Sequence, residues 1–377
     1  MPYKVGNNQK AGSSSRFAVA AKAVMCLLVA IGMMSPINGA ANPAIPGSAS
    51  GPDGPIWVPN FGTGAVAAID PATMQLVSEI PNVGDHPMVI KELPDHSRLF
   101  VGNFGPLTWN VSVIDTATRS VIARIPTIGA AYEVIQLSHD GRYLYVPTSL
   151  SVIDVFDTHT LQLARTLPIV LPPLPVHVEI APDDSVLYAL TASGQATKYD
   201  ANTGAMLAPP IFLNGLVPGW GAMSLSGDTI YAVNTHSGVT IIDTKSWSVT
   251  RTISLPFDAE PISGTLTPDG SRLWVCDYYT KEILVLDAQT GDILNRIATP
   301  SFPVYAGFSP DGRTAYVTVV SDGLKLGFWS PLTDPFQQMI AEQLNLDTSL
   351  IAYNVDSGEP GPKLTVKGAF FAGVFPG

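Results

Sequence analysis

Seven short runs open on an aromatic residue: Trp57-Val58-Pro59-Asn60, Phe100-Val101-Gly102-Asn103, Tyr145-Val146-Pro147-Thr148, Tyr188-Ala189-Leu190-Thr191, Tyr231-Ala232-Val233-Asn234, Trp274-Val275-Cys276-Asp277 and Tyr316-Val317-Thr318-Val319. The steps between the aromatics are 43, 45, 43, 43, 43 and 42 residues. A fixed period of that size marks a repeat protein and decides the fold before any single residue does. Each run is rich in strand formers.

The rest of the repeat unit is read outward from these runs. About a dozen residues later a second apolar run ends in an acid, as in Val111-Ser112-Val113-Ile114-Asp115 and Ile283-Leu284-Val285-Leu286-Asp287. The ending is stereotyped: Asp70 with Thr73, Asp115 with Thr118, Asp157 with Thr160, Asp200 with Thr203, Asp243 with Ser246, Asp287 with Thr290, and Asn354 with Ser357. Such side chains accept hydrogen bonds from nearby backbone N–H groups, so each pair is read as a hairpin corner and not as a ring of catalytic acids. A third run follows the corner. A fourth leads into a turn such as Ala181-Pro182-Asp183, Thr267-Pro268-Asp269-Gly270 or Ser309-Pro310-Asp311-Gly312, where Pro presets the backbone and Gly supplies positive φ. Four short antiparallel strands in each of seven repeats predict an all-β, seven-bladed β-propeller. Blades bury their faces only against neighbours, so the ring must close. The apolar end, Gly368-Ala369-Phe370-Phe371-Ala372-Gly373-Val374-Phe375, is expected to supply the innermost strand of the blade formed by residues 56–80.

Two segments depart from the repeat. Residues 1–41 hold Lys4, Lys10, Arg16 and Lys22 and no acid, then an apolar run from Ala23 to Met34, then small residues. That order reads as a secretory signal, with 42–377 as one propeller domain. The run is too short to span a bilayer, and no later segment is expected to cross one. In the last repeat, Tyr316 to Asn354 is 38 residues where the matching steps elsewhere take 12 to 15. Phe336, Met339, Ile340 and Leu344 share one helical face behind Asp334-Pro335, so a short helix is expected within an insert at about 323–348.

Charge excludes some roles. Without residues 1–41 the chain keeps 16 basic and 31 acidic residues, a net charge of −15. That argues against nucleic-acid binding or anionic lipid. Cys276 is then the sole cysteine, so no intramolecular disulfide forms. There is no Gly-x-Ser-x-Gly, no phosphate loop and no paired-Cys motif.

The Tyr-Val-x-Asn-like strand, Val113-Ile114-Asp115-Thr116 and Phe308-Ser309-Pro310-Asp311-Gly312 together resemble the YVTN-type β-propeller repeat over nearly all of 52–377. The resemblance implies an exported or cell-surface protein, periplasmic or secreted. Its wider neighbours include lactone-hydrolysing propellers, amine-dehydrogenase heavy chains and the haem-bearing propeller of nitrite reductases. The motif is structural, so it carries over no catalytic residue.

Candidate site residues come from where repetition breaks. The inner strands align on Pro87, Pro175, Pro218, Pro261 and Pro303, with Ala131 in the equivalent place. Two residues on stand Val89, Glu133, His177, Trp220, Ser263 and Tyr305, with His86, Glu179 and Glu260 close by. At a channel mouth where these strands start, Glu133 and His177 could act as an acid/base pair, with Trp220 and Tyr305 as walls and Ser263, Glu260 and His86 as further ligand contacts. The competing reading is a water-filled mouth whose polar residues are merely solvated. No metal-ligand spacing is present and no cofactor is named by the residues. The expected function is an exported, monomeric binding or scaffold protein for a small molecule or a protein. The alternative is a lactonase-like hydrolase or a lyase acting in the channel.

Overall fold

The computed structural model describes residues 54–105, 109–131, 134–169, 175–235, 237–256, 259–320, 347–368 and Gly373. The sheets follow one another around a ring as seven blades. Blades two to seven span residues 87–126, 136–168, 175–212, 216–253, 261–298 and 302–367, each a four-stranded antiparallel sheet in chain order from the inside out. Blade one, residues 56–80, shows three strands among the described residues. The expected signal segment, most of the expected insert and most of the expected closing strand lie outside the described residues. Two residues allotted to the insert are strand instead: the third strand of blade seven begins at Asp347. Gly368 comes against Asn60 of blade one, and a Cβ on it would lie 2.3 Å from Asn60 Oδ1. Among the described residues no helix is long and apolar enough to cross a membrane.

The aromatic period now has a cause. All seven aromatics are buried, each on a strand that pairs with its neighbours in the blade. Side chains alternate between the two faces of a strand, so each blade offers apolar residues to the blade on either side. Trp274, Val285, Val304, Val317 and Tyr353 form one such layer between blades six and seven. Ile56, Val58 and Ile69 of blade one pack with Tyr316, Leu350 and Ala352 of blade seven, which closes the ring.

The outer corners carry out the turn chemistry the sequence predicts. Asp157 Oδ1 accepts from the His159 and Thr160 N–H groups at 3.0 and 2.9 Å. Asp70, Asp115, Asp200, Asp243, Asp287 and Asn354 accept in the same way. The fourth residue past each of these seven has positive φ: Met74, Arg119, Leu161, Gly204, Trp247, Gly291 and Gly358. The carbonyl of Asp157 then accepts from Leu161 N at 2.8 Å, and register shifts in all seven adjoining strand pairs take up the extra residue.

Candidate functional site in the central channel

Proline has no N–H to donate, so it is tolerated at the start of a strand. Immediately after it, the inner strands slip register against the second strand. Pro87 faces Asn103 but Val89 faces Gly102; Pro175 faces Thr191 but His177 faces Leu190. The same slip precedes Ser263 and Tyr305, and a longer one precedes Trp220. A bulge re-aims the side chain that follows it. This is why the second residue past the proline is the position where blades differ.

A cavity of about 530 Å³ lies among the inner strands of blades two to seven. Val89, His177, Trp220 and Tyr305 line it at that position. Two residues further on, one strand period, Lys91, Ile135, Glu179, Ala222, Thr265 and Gly307 form a second level. The cavity extends toward the ends of the inner strands, where Leu225, Thr267 and Pro268 contribute.

The aromatic wall is continuous. His177 and Trp220 rings are 6.1 Å apart at 51°, and Trp220 and Tyr305 rings 5.2 Å apart at 53°. These are tilted contacts of the kind aromatic pairs prefer. Glycine makes room for the histidine: a Cβ on Gly221 would sit 3.1 Å from His177 Nε2 and 3.0 Å from Leu190 Cδ1.

The polar side is built around Glu179. His177 Nε2 lies 2.9 Å from Glu179 Oε1, and Gln136 Nε2 donates to Oε2 at 3.3 Å. With Nε2 as donor, Nδ1 holds the lone pair; it is buried and has no hydrogen-bond partner among the described residues. Lys91 is half-buried, and no hydrogen bond or ion pair within the described residues holds its amine. Burial pushes that amine below the usual lysine range, and the charge of Glu179 partly opposes the shift. Burial pushes the Tyr305 phenol up to about 12, with the Thr265 hydroxyl acting against it. Glu92 is raised by burial and steadied by His96, whose Nδ1 lies 3.3 Å away.

The sequence-derived candidates thus separate. His177, Trp220 and Tyr305 come together in the cavity, with Glu179. Ser263 is buried opposite Cys276 and does not line it. His86 precedes the inner strand of blade two, with Nδ1 2.6 Å from Asp85 Oδ1 and its ring against Phe61. Glu260 precedes the strand of blade six, buried, its N–H donating to Asp277 Oδ1 at 2.8 Å. Neither lines the cavity. Glu133 lies outside the described residues. Lys91 was missed, and stepping two residues past the break in the repeat would have found it. Among the described residues no group of three His, Cys, Asp or Glu is arranged to hold a metal ion.

Residues 49–174, a third of the chain, match the family model described as the Cytochrome D1 heme domain. No curated protein sequence matches. Among solved structures, dihydro-heme d1 dehydrogenase NirN in complex with DHE superposes with a TM-score of 0.61 at 18% identity, over 88% of this chain and 77% of that one. Hydrazine synthase of Kuenenia stuttgartiensis superposes with a TM-score of 0.58 at 18% identity, over 72% and 77%. Identities this low show the propeller fold alone. A haem brings carboxylates and a metal that takes an axial donor. The described lining offers a single cation, Lys91, where a haem's several carboxylates need more, and Glu92 and Glu179 add negative charge. His177 Nδ1 and the Met223 thioether could serve as axial donors, but the carboxylates have no match, so this lining does not fit a haem.

Proposed function

We propose that the chain is an exported β-propeller binding protein whose central cavity takes a small planar organic anion. The observation that carries this reading is the pairing of an aromatic wall, Trp220 and Tyr305, with the amine of Lys91, which no hydrogen bond or ion pair among the described residues holds, in one cavity. A planar body would stack on the wall, and an acidic group would neutralise the amine. The volume of about 530 Å³ suits a ligand of that size. The solved complex of NirN with DHE supports a ligand-binding role for a propeller of this form. Export rests on the basic and apolar order of residues 1–41.

The test is titration with 1-anilinonaphthalene-8-sulfonate, an anion with a planar naphthalene ring and a fluorescence readout. One saturable site is expected, with affinity lowered about ten-fold in Trp220→Ala through loss of the aromatic contact. Absence of saturable binding, or equal affinity in the variant, would contradict the reading.

One observation favours a second reading, a hydrolase or lyase: the 2.9 Å contact of His177 with Glu179 has the geometry of an acid/base pair. It predicts lactone hydrolysis that His177→Gln abolishes. Lactones left intact by the wild-type protein would count against hydrolysis.

A further inference from the structure

The channel amine has a second use, which rests on the cavity reading above. The other described lysines with a side-chain contact make it away from the cavity. Lys198 lies over the Trp247 ring, Lys281 over the Phe302 ring, and Lys245 pairs with Asp228 at 2.9 Å. Lys363 is exposed to solvent. Lys91 is the one lysine in the described cavity lining, and no hydrogen bond or ion pair among the described residues holds its amine.

We propose that Lys91 is a carbonyl-capturing amine, which condenses reversibly with an aldehyde or ketone held against the Trp220–Tyr305 wall. Three features of the site support the chemistry. Lys91 shares the cavity with the apolar Val89, Ile135 and Ala222, and burial lowers its amine below the usual lysine range, which favours the nucleophilic form. Glu179 lines the same cavity, and its charge acts on Lys91. His177 and Gln136 hold Glu179 in place from its two oxygens.

The step balances without an oxidant or reductant. The amine lone pair forms the C–N bond as the C=O π pair moves to oxygen. Solvent water takes a proton from the new ammonium and returns one to that oxygen, giving a carbinolamine. A second proton travels the same way from nitrogen to the hydroxyl, the C–O bond breaks, and water leaves an imine. The ligand class is therefore a planar aromatic or conjugated carbonyl compound, and an acidic substituent on it is optional.

The test uses the full chain, 4-hydroxybenzaldehyde and sodium cyanoborohydride at pH 7, with peptide mass spectrometry locating the reduced adduct. Lys91 is expected to label about ten-fold faster than Lys363, as desolvation should raise its free-amine fraction. Saturating anilinonaphthalene sulfonate is expected to protect it, and Lys91→Arg to remove the fast adduct. If the dye binds the wild-type cavity but Lys91 labels no faster than Lys363, the imine proposal is overturned and the binding reading stands. If Lys91 labels fast but the dye does not bind, the imine proposal stands and the anion-binding reading falls. Failure of both removes both.

Discussion

Carboxyl groups at the outer turns and in the interior are driven in opposite directions. At the turns, Asp95, Asp115, Asp140, Asp157, Asp183, Asp200, Asp243, Asp269, Asp287 and Asp311 are all held below the usual range, chiefly by backbone N–H and hydroxyl donors. Asp269, which accepts from Thr267 and Ser271, falls to about 2. Inside, Glu92 and Asp277 are pushed up by burial, and the Lys91 amine is pushed down. The turns replace the water they remove with oriented donors; the channel does so only in part. The repeated positions therefore hold the ring together, and the unrepeated ones hold a latent demand for charge and hydrogen bonding that a ligand can meet.

That contrast can be broken at several points. The largest effect is expected in the blade interfaces. Trp274 is fully buried, and Trp274→Ala should cost about 3–5 kcal/mol of stability, read as a fall in Tm and in the denaturation midpoint. A loss below about 1 kcal/mol would mean that the aromatic period is not what fastens the blades. In the channel, Lys91→Met should weaken dye binding about five- to ten-fold while leaving Tm unchanged or higher, because it removes a desolvated amine that no hydrogen bond or ion pair among the described residues holds. A lower Tm with unchanged binding would make Lys91 a structural residue.

At the turns the effects should be smaller and of opposite kind. Asp157 accepts three hydrogen bonds in its corner, from His159 N, Thr160 N and Thr160 Oγ1. Asp157→Ala should lower stability by about 1 kcal/mol and leave dye affinity unchanged. Acid should act through the whole set. Their folded pKa values are depressed, so the stability they give is present above the unfolded value of about 3.9 and is lost as pH falls toward 2. Glu92 and Asp277 are raised and act the other way, but they are two against ten. Tm should therefore decline between pH 4 and pH 2, and a flat profile there would show that the turn carboxylates contribute nothing.

Legibility in the sequence follows the same division. The blades could be read because the corner needs the same hydrogen-bond acceptor every time, so Asp70 through Asn354 recur in register with the aromatics. The site was half legible. Aligning the inner strands on their prolines brought out His177, Trp220 and Tyr305, which follow a register slip and line the cavity. The same alignment also brought out Ser263, which the sheet buries against Cys276 instead. His86 and Glu260 were near in sequence but precede their strands, where local partners hold them. Lys91 escaped because it stands at the next position, where the other blades carry Ile135, Glu179, Ala222, Thr265 and Gly307 and no common residue type draws the eye. Its importance comes from what surrounds it in space, and one strand alone does not show that.

The most direct measurement is a crystal structure of the full chain soaked with 1-anilinonaphthalene-8-sulfonate. The account predicts density for the ring system against Trp220 and Tyr305, with the sulfonate at Lys91 Nζ. Dye bound only on the outer strands, with the channel holding ordered water in that place, would contradict it.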